Sequence, residues 1–307
     1  TLYPYQKDGW RWLRFIAREQ LGGLLADEMG LGKTLQIISM MSDPGDGASL
    51  TPALVVAPGS LLENWRRELE KFAPHLRVTK HQGSMRTGRY ADLKSSDVVI
   101  ASYDTVVRDQ SMLAMVEWSV VILDEAQNIK NPDALRTRSV KSLPRKVGLA
   151  MTGTPVENRL TDLWSIMDFA VPGYLGDVKS FSALYSDDPD GGSQLEPLIT
   201  PLMLRRTVRE VADDLPARID IPEVLELSDE EAIEYERIRH EILSEYGKAG
   251  SLVSLGLLRQ FCTHPAILKR EGDKFAQLSF SKFERLREVL AELFATGEKG
   301  IVFKSFT

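Results

Sequence analysis

At 307 residues, with 43% hydrophobic and 27% charged side chains, the chain has the make-up of an ordinary soluble globular protein, long enough for one large domain or two smaller ones. No apolar run approaches the roughly 20 residues that a bilayer-spanning helix needs, and residues 1–10 lack the charged-then-apolar pattern of a signal peptide. The lone Cys262 excludes an internal disulfide and fits a reducing compartment, while the net charge of −6 argues against a polyanionic partner only on average. Residues 130–148 carry six basic groups against one acid, and residues 223–236 carry seven acids and no base. The local field therefore leaves nucleic-acid binding open beside the plainer reading of two solvated faces.

In chain order, apolar runs recur at residues 21–26, 53–58, 97–103, 120–126 and 147–153. They are continuous rather than alternating, as expected of strands buried on both faces of a parallel sheet. Helical stretches lie between them. In "LLENWRRELEKF", Leu61, Leu62, Trp65, Leu69 and Phe72 share one face, which makes Trp65 a core side chain rather than a base-stacking aromatic. Strands alternating with helices imply right-handed βαβ units that bind ligands at the carboxyl ends of the strands. After about Asp162 helical periodicity dominates, interrupted by a polar loop at 186–194. The acidic run begins a solvated helix with Ser228 as its N-cap. Residues 281–307 read as a helix followed by a new apolar strand, the opening of a second α/β domain.

The chemistry concentrates in two motifs. "LLADEMGLGKTLQII" ends like the phosphate-binding pattern G-x-x-x-x-G-K-[ST] in Gly32, Lys33 and Thr34, but it holds Asp27 where the first glycine belongs. A strand, a turn through Gly30 and Gly32, and a helix from about Lys33 direct backbone N–H groups at one anion. There Lys33 would neutralise the β and γ phosphates and Thr34 would ligate Mg²⁺. A bare helix start with turn glycines reads alike, and "VVILDEAQ" decides between them. Asp124 at a strand tip suits Mg²⁺ held through water, and Glu125 suits a base that orients and deprotonates an attacking water. Together the two motifs make a nucleotide site. His75, His81, His240, His264 and Cys262 show no zinc spacing.

On these residues the chain resembles the ATPase core of the Swi/Snf-type branch of helicase superfamily 2, the DNA translocases of chromatin remodellers and their bacterial relatives. "LYPYQKDGWRWL" resembles the opening motif whose glutamine, here Gln6, reads the adenine edge. "LADEMGLGKTLQ" is similar to the family's phosphate loop, which normally lacks the first glycine. The resemblance places ATP against Asp27, Glu28, Met29, Gly30, Leu31, Gly32, Lys33 and Thr34. "LVVAPGSLLENWRRE", "DVVIASYDTV" and "ILDEAQNIKNP" resemble motifs Ia, Ib and II, which implies DNA-backbone contacts by Ser60, Ser102 and Tyr103. "LAMTGTPVENRLTDLW" resembles motif III, in which Thr152, Gly153 and Thr154 sense phosphate state together with Gln127. "LMLRRTVREVADDLP" and "LLRQFCTHPAIL" resemble the helical insertions and the link between lobes. Arg205 and Arg206 there either reach DNA or the other lobe, or end an exposed helix. "KGIVFKSFT" resembles motif IV.

The resemblance implies an α/β fold of the P-loop NTPase kind: a RecA-like parallel sheet flanked by helices, with helical insertions and the start of a second RecA-like lobe. It assigns 1–165 to lobe 1, 166–280 to insertions and inter-lobe linker, and 281–307 to the start of lobe 2. The implied activity is ATP-dependent translocation on double-stranded DNA, largely independent of sequence, with ATP and Mg²⁺ as cofactors. The implied partners are the second lobe and a DNA-bound protein as remodelling target, in the cytoplasm at the nucleoid if bacterial or in the nucleus if eukaryotic, and away from membranes. The alternative is a nucleotide-binding regulatory module that recruits a protein without turnover, against which intact Lys33, Asp124 and Glu125 speak. Two departures stand out. Gln127 replaces the histidine of many relatives, and the arginine fingers of motifs V and VI do not occur in these residues. An arginine finger is worth about 10³ to 10⁵ in rate, so feeble hydrolysis and no translocation are expected of this stretch alone.

Overall fold

All five continuous apolar runs form strands. In the computed structural model these are β1 (Gly23–Leu25) and β2 (Ala53–Ala57), followed after β3 (Val78–His81) by β4 (Val98–Ser102), β5 (Trp118–Leu123) and β6 (Arg145–Met151), with β7 (Met203–Leu204) last. The residues described are 2–43, 50–154, 159–211, 221–246, 250–268, 280–297 and 299–303. The seven strands make one sheet in the order β3-β4-β2-β5-β6-β1-β7, and every pairing is parallel. β1, β2, β4 and β5 are buried at every residue, which is why Val, Ile, Leu and Ala dominate them without alternation. β3 and β7 are the two strands that the apolar pattern does not announce. Both lie at sheet edges, where solvent admits Thr79 and Lys80 into β3 and where β7 needs only two residues to pair with Leu24 and Leu25.

Helices α1 (Pro4–Arg18), α2 (Lys33–Ser42) and α3 (Leu62–Phe72) pack as successive neighbours. Pro4 presets the first turn of α1, and Gly9, Leu13, Ile16 and Ala17 form its buried stripe at helical spacing. Short helices α4 (Tyr90–Lys94), α5 (Tyr103–Arg108), α6 (Gln110–Leu113) and α7 (Leu135–Lys141) follow, with α5 against α7. α8 (Leu160–Ala170) lies on β1 and β6 and is apolar on nearly every side, burying Leu163, Trp164, Ile166, Met167 and Phe169. The divide expected at 165/166 therefore falls inside a core helix. α9 (Val178–Leu184), α10 (Pro189–Ile199) and α11 (Val208–Val211) complete the first of two compact units, Thr1–Leu215.

The second unit, Pro216–Thr307, holds α12 (Asp229–Tyr246), α13 (Gly250–Thr263) and α14 (Ser281–Ala295) around Ile238, Ile242, Leu258, Phe261 and Phe280. Ser228 caps α12 as expected. Its Oγ accepts from Glu231 N at 3.3 Å, and Glu231 Oε2 accepts from Ser228 N at 2.8 Å, a reciprocal box. The acidic run is not wholly solvated, however. Glu231 is buried, because Ser281 donates to it from both N and Oγ at 2.7 Å. The apolar strand expected near the C-terminus is not formed at 300–303, where Ile301 and Phe303 are exposed and no neighbouring strand is described to pair with them. Residues 155–158 of the motif-III stretch, 212–220 and 304–307 lie outside the described residues. Among the described residues, no helix is long and apolar enough to cross a membrane.

Candidate active site

Because the strands all run the same way, the residues that follow them meet along one edge of the sheet. β6 lies between β1 and β5. The loop after β1, Thr152 after β6 and the Asp124–Glu125 pair after β5 consequently stand side by side.

The loop after β1 enters α2 through Gly30 and Gly32, at φ 89° and 75°. That left-handed backbone suits glycine, and a methyl group at Gly32 would also meet Gln6 Nε2 at 2.5 Å. Gly32 serves as N-cap of α2, so the first-turn N–H groups of the helix lack intrahelical acceptors and offer an anion site. Lys33 Nζ donates to the carbonyls of Asp27 at 2.7 Å and Glu28 at 3.2 Å. Burial lowers the pKa of Lys33, while the charges of Asp27, Glu125, Asp124 and Glu28 oppose that shift. The ammonium thus shares one electrostatic neighbourhood with the acids of β5. Gly153 keeps space beside it: a Cβ there would lie 2.9 Å from Met29 Cγ and 3.9 Å from Lys33 Nζ.

Asp124 is buried, and its backbone carbonyl accepts from the Tyr103 hydroxyl at 2.8 Å. Its Oδ2 accepts from Trp65 Nε1 at 2.8 Å and its Oδ1 from Glu125 N at 2.9 Å. Burial raises its pKa, and the Trp65 hydrogen bond and the Lys33 charge pull it back. Both donors are neutral, so neither cancels charge on the carboxylate, and lone pairs remain for a ligand. Among the described residues, no three His, Cys, Asp or Glu side chains converge as a metal site. Asp124 together with the half-buried Thr34 instead fits Mg²⁺, which takes one or two protein oxygens and completes its shell with phosphate and water.

Glu125 adopts φ 50° and ψ 56°, a left-handed conformation that costs a non-glycine residue about 1–2 kcal/mol. Such strain persists where the surroundings over-determine it, as at active sites. Here Asn128 Nδ2 donates to the Glu125 carbonyl at 2.8 Å. A hydrogen-bonded relay then runs to the loop after β6. Gln127 Nε2 donates to Glu125 Oε2 at 2.7 Å, Thr152 Oγ1 donates to Gln127 Oε1 at 2.9 Å, and Thr154 N donates to Thr152 Oγ1 at 3.0 Å. Each link pairs one donor with one acceptor, so the relay is internally consistent.

Several expected contacts turn elsewhere. The Gln6 amide braces the phosphate loop, accepting from Tyr3 N at 3.0 Å and donating to Leu31 O at 3.2 Å. Asp27, expected at ATP, is fully buried and bound by Arg206, with Nε to Oδ1 at 2.9 Å and Nη2 to Oδ2 at 2.5 Å. Arg206 also donates to Gln36 Oε1 at 2.9 Å and to the Tyr5 carbonyl, so it faces into the fold rather than toward DNA. Glu28 Oε2 accepts from Val208 N at 2.6 Å, and Leu31 is buried, whereas Met29 is exposed. Ser102 is buried as the N-cap of α5, accepting from Thr105 N at 3.1 Å, and Tyr103 is buried beneath Asp124. Burial pushes the Tyr103 phenol well up. Of the residues expected at DNA, Ser60 and Arg205 remain exposed at the sheet edge.

The basic stretch 130–148 is not one face either. Arg136 meets Asp104 at 3.1 Å and Lys141 meets Asp168 at 2.8 Å. Arg145, at the start of β6, donates to the carbonyls of Lys141, Leu143 and Phe169, and burial brings its pKa down to about 10. Arg138 and Lys146 are exposed.

Sequence reasoning placed Trp65 in the core and missed its bond to Asp124. The available signal was the indole N–H, which needs an acceptor when buried. It also missed the Asp27–Arg206 pair, although a carboxylate inside a buried loop demands a cation.

Comparison with known proteins adds a family. The SNF2-related domain matches residues 5–267. The chain is 40% identical over 326 residues to YwqA of Bacillus subtilis, provisionally named an ATP-dependent helicase/translocase, matching all of this chain and 35% of that protein. The TATA-binding protein-associated factor mot1 of Schizosaccharomyces pombe is 33% identical, across 88% of this chain and 16% of its own length. The chain thus spans about a third or less of these curated relatives. Among solved structures, the Sulfolobus solfataricus SWI2/SNF2 ATPase core in complex with dsDNA matches with a TM-score of 0.65 and 38% identity, covering 97% of this chain and 66% of that one.

Proposed function

Since this chain belongs to the SNF2-related domain family, ATP-hydrolysing members of helicase superfamily 2, we propose that its first unit is the ATP- and Mg²⁺-holding half of a motor that tracks duplex DNA. The observation that carries this reading is topological: β6 alone separates β1 from β5 in an all-parallel sheet, so the loop bearing Lys33 and the Asp124–Glu125 pair stand at the same edge. Lys33 and the first-turn N–H groups of α2 receive the β and γ phosphates. Thr34 and Asp124 are the residues that would hold Mg²⁺, Asp124 through water, and the ion when bound would supply charge neutralisation at the phosphates. Glu125 orients an attacking water and accepts its proton, with its carboxylate aligned by Gln127.

The relay through Thr152 connects Glu125 to the loop after β6, which stands between the phosphate-holding and acid-bearing strands. Movement of that loop would reach Glu125 through Gln127. Ser60 and Arg205 offer exposed polar groups on the same edge for backbone phosphates, which carry little sequence information. The dsDNA bound by the archaeal core supports duplex DNA as the partner. A second RecA-like lobe beginning within 281–307, and a DNA-bound protein as the remodelled target, complete the proposal.

The test is phosphate release by the protein with and without duplex DNA, beside Glu125→Gln. DNA should stimulate turnover. The variant should still bind ATP and lose about 10² to 10⁴ in rate. Nucleotide binding that ignores DNA and never turns over would favour a regulatory module instead.

A further inference from the structure

Among the described residues of the first unit, three indole N–H groups lie in defined hydrogen bonds. Trp118 Nε1 donates to the Leu113 carbonyl at 3.0 Å and Trp164 Nε1 to the Gly176 carbonyl at 3.1 Å. These are the ordinary ways in which a buried indole finds an acceptor. Trp65, 1% exposed on α3, instead donates to the carboxylate of Asp124, 59 residues away. We propose that Trp65 is a positioning residue for the metal-holding carboxylate, fixing the plane of Asp124 while leaving its charge undiminished.

Rotation of an aspartate about χ2 is soft and roughly two-fold. Two donors, one on each oxygen, remove that freedom: Glu125 N on Oδ1 and the indole on Oδ2. The indole is a single donor on a rigid ring with no acceptor of its own, so it permits one geometry. α3 buries Leu62 and Leu69 together with Trp65, and the ring is thereby held against the sheet. A lysine or arginine at this position would orient the carboxylate equally well. It would also neutralise the charge that a divalent cation needs, whereas the neutral indole does not.

The inference rests on the reading of Asp124 as a Mg²⁺ residue, and the test separates the two. Binding of a fluorescent ADP analogue to the chain is titrated with Mg²⁺ for the unsubstituted protein, Trp65→Phe and Asp124→Asn. Phe keeps an aromatic ring and removes the donor. Trp65→Phe should raise the half-saturating Mg²⁺ about tenfold, the scale seen when a partner that orients a metal-binding side chain is lost. Binding measured in EDTA should be unchanged. A native Mg²⁺ dependence in Trp65→Phe, with a shifted one in Asp124→Asn, overturns the role of Trp65 alone. An unshifted Asp124→Asn overturns the underlying reading of Asp124. Should Trp65→Phe fail to fold, indole-¹⁵N labelling resolves the five tryptophans of the chain. Asp124→Ala should move one indole signal, and Mg²⁺ with ADP should move that same signal in the unsubstituted chain. If no indole responds to either, the proposal is wrong.

Discussion

Arg206 Nε lies 2.9 Å from Asp27 Oδ1, tying the loop after β7 to the loop after β1. Asp27 is inaccessible to water, so removing its guanidinium partner leaves a buried charge uncompensated. Arg206→Ala should therefore destabilise the chain by about 3–5 kcal/mol, read as a lower urea midpoint. A DNA-facing arginine would give the opposite result, with an unchanged midpoint and weakened duplex binding.

Gly32→Ala should damage the phosphate loop twice over. The positive φ alone costs about 1–2 kcal/mol, and the added methyl group would displace the Gln6 amide that it meets at 2.5 Å. Titration calorimetry should show ATP bound about tenfold more weakly, the equivalent of roughly 1.4 kcal/mol. Retained native affinity would mean that the loop adapts without strain.

Thr152→Val keeps the side-chain volume and removes the hydroxyl that joins Thr154 N to Gln127 Oε1. One such hydrogen bond contributes about 0.5–1.5 kcal/mol. Single-turnover hydrolysis should slow by up to about tenfold, with ATP affinity unchanged and with Thr152→Ser restoring the rate. A variant that loses affinity but not rate would make Thr152 a phosphate contact rather than part of a relay.

Acid should expose a different bond. Both Asp97 oxygens meet the Arg77 guanidinium, at 2.9 and 3.0 Å, and Oδ2 also accepts from Arg77 N at 2.8 Å. The Arg77 side chain holds the Asp97 pKa below its ordinary value. A group depressed in the folded state adds stability above its unfolded pKa, about 3.9 for aspartate, and the gain disappears as pH falls through the folded value. Asp97→Asn should accordingly be the less stable protein at pH 7. Its urea midpoint should converge on that of the unsubstituted chain in the window below about pH 4. A constant difference across that range would assign the effect to something other than the charge.

The central strands were legible because burial on both faces leaves them mostly apolar side chains. Edge strands β3 and β7 lack that signature and were not. That Lys33, Asp124 and Glu125 follow strands at one edge of the sheet could likewise be read from residue order. Side-chain direction could not. Ser102, Tyr103 and Arg206 all stand at or just past strand ends on the ligand-binding edge, yet each turns inward to a partner supplied by another part of the chain or by a cap. The periodicity that assigned Trp65 to the core was correct about burial and silent about the indole N–H. Sequence position selects the rim of the sheet, and three-dimensional neighbours select which way a side chain leaves it.

β6 is also a ruler. Neighbouring strands lie about 4.8 Å apart, so a single interposed strand holds the tips of β1 and β5 about 10 Å from each other across the sheet. That breadth accommodates a chain of phosphates with a hydrated ion beside it, whereas adjacent strands would close on it. The spacing of these two strand ends is thus set by backbone hydrogen bonding rather than by any side chain.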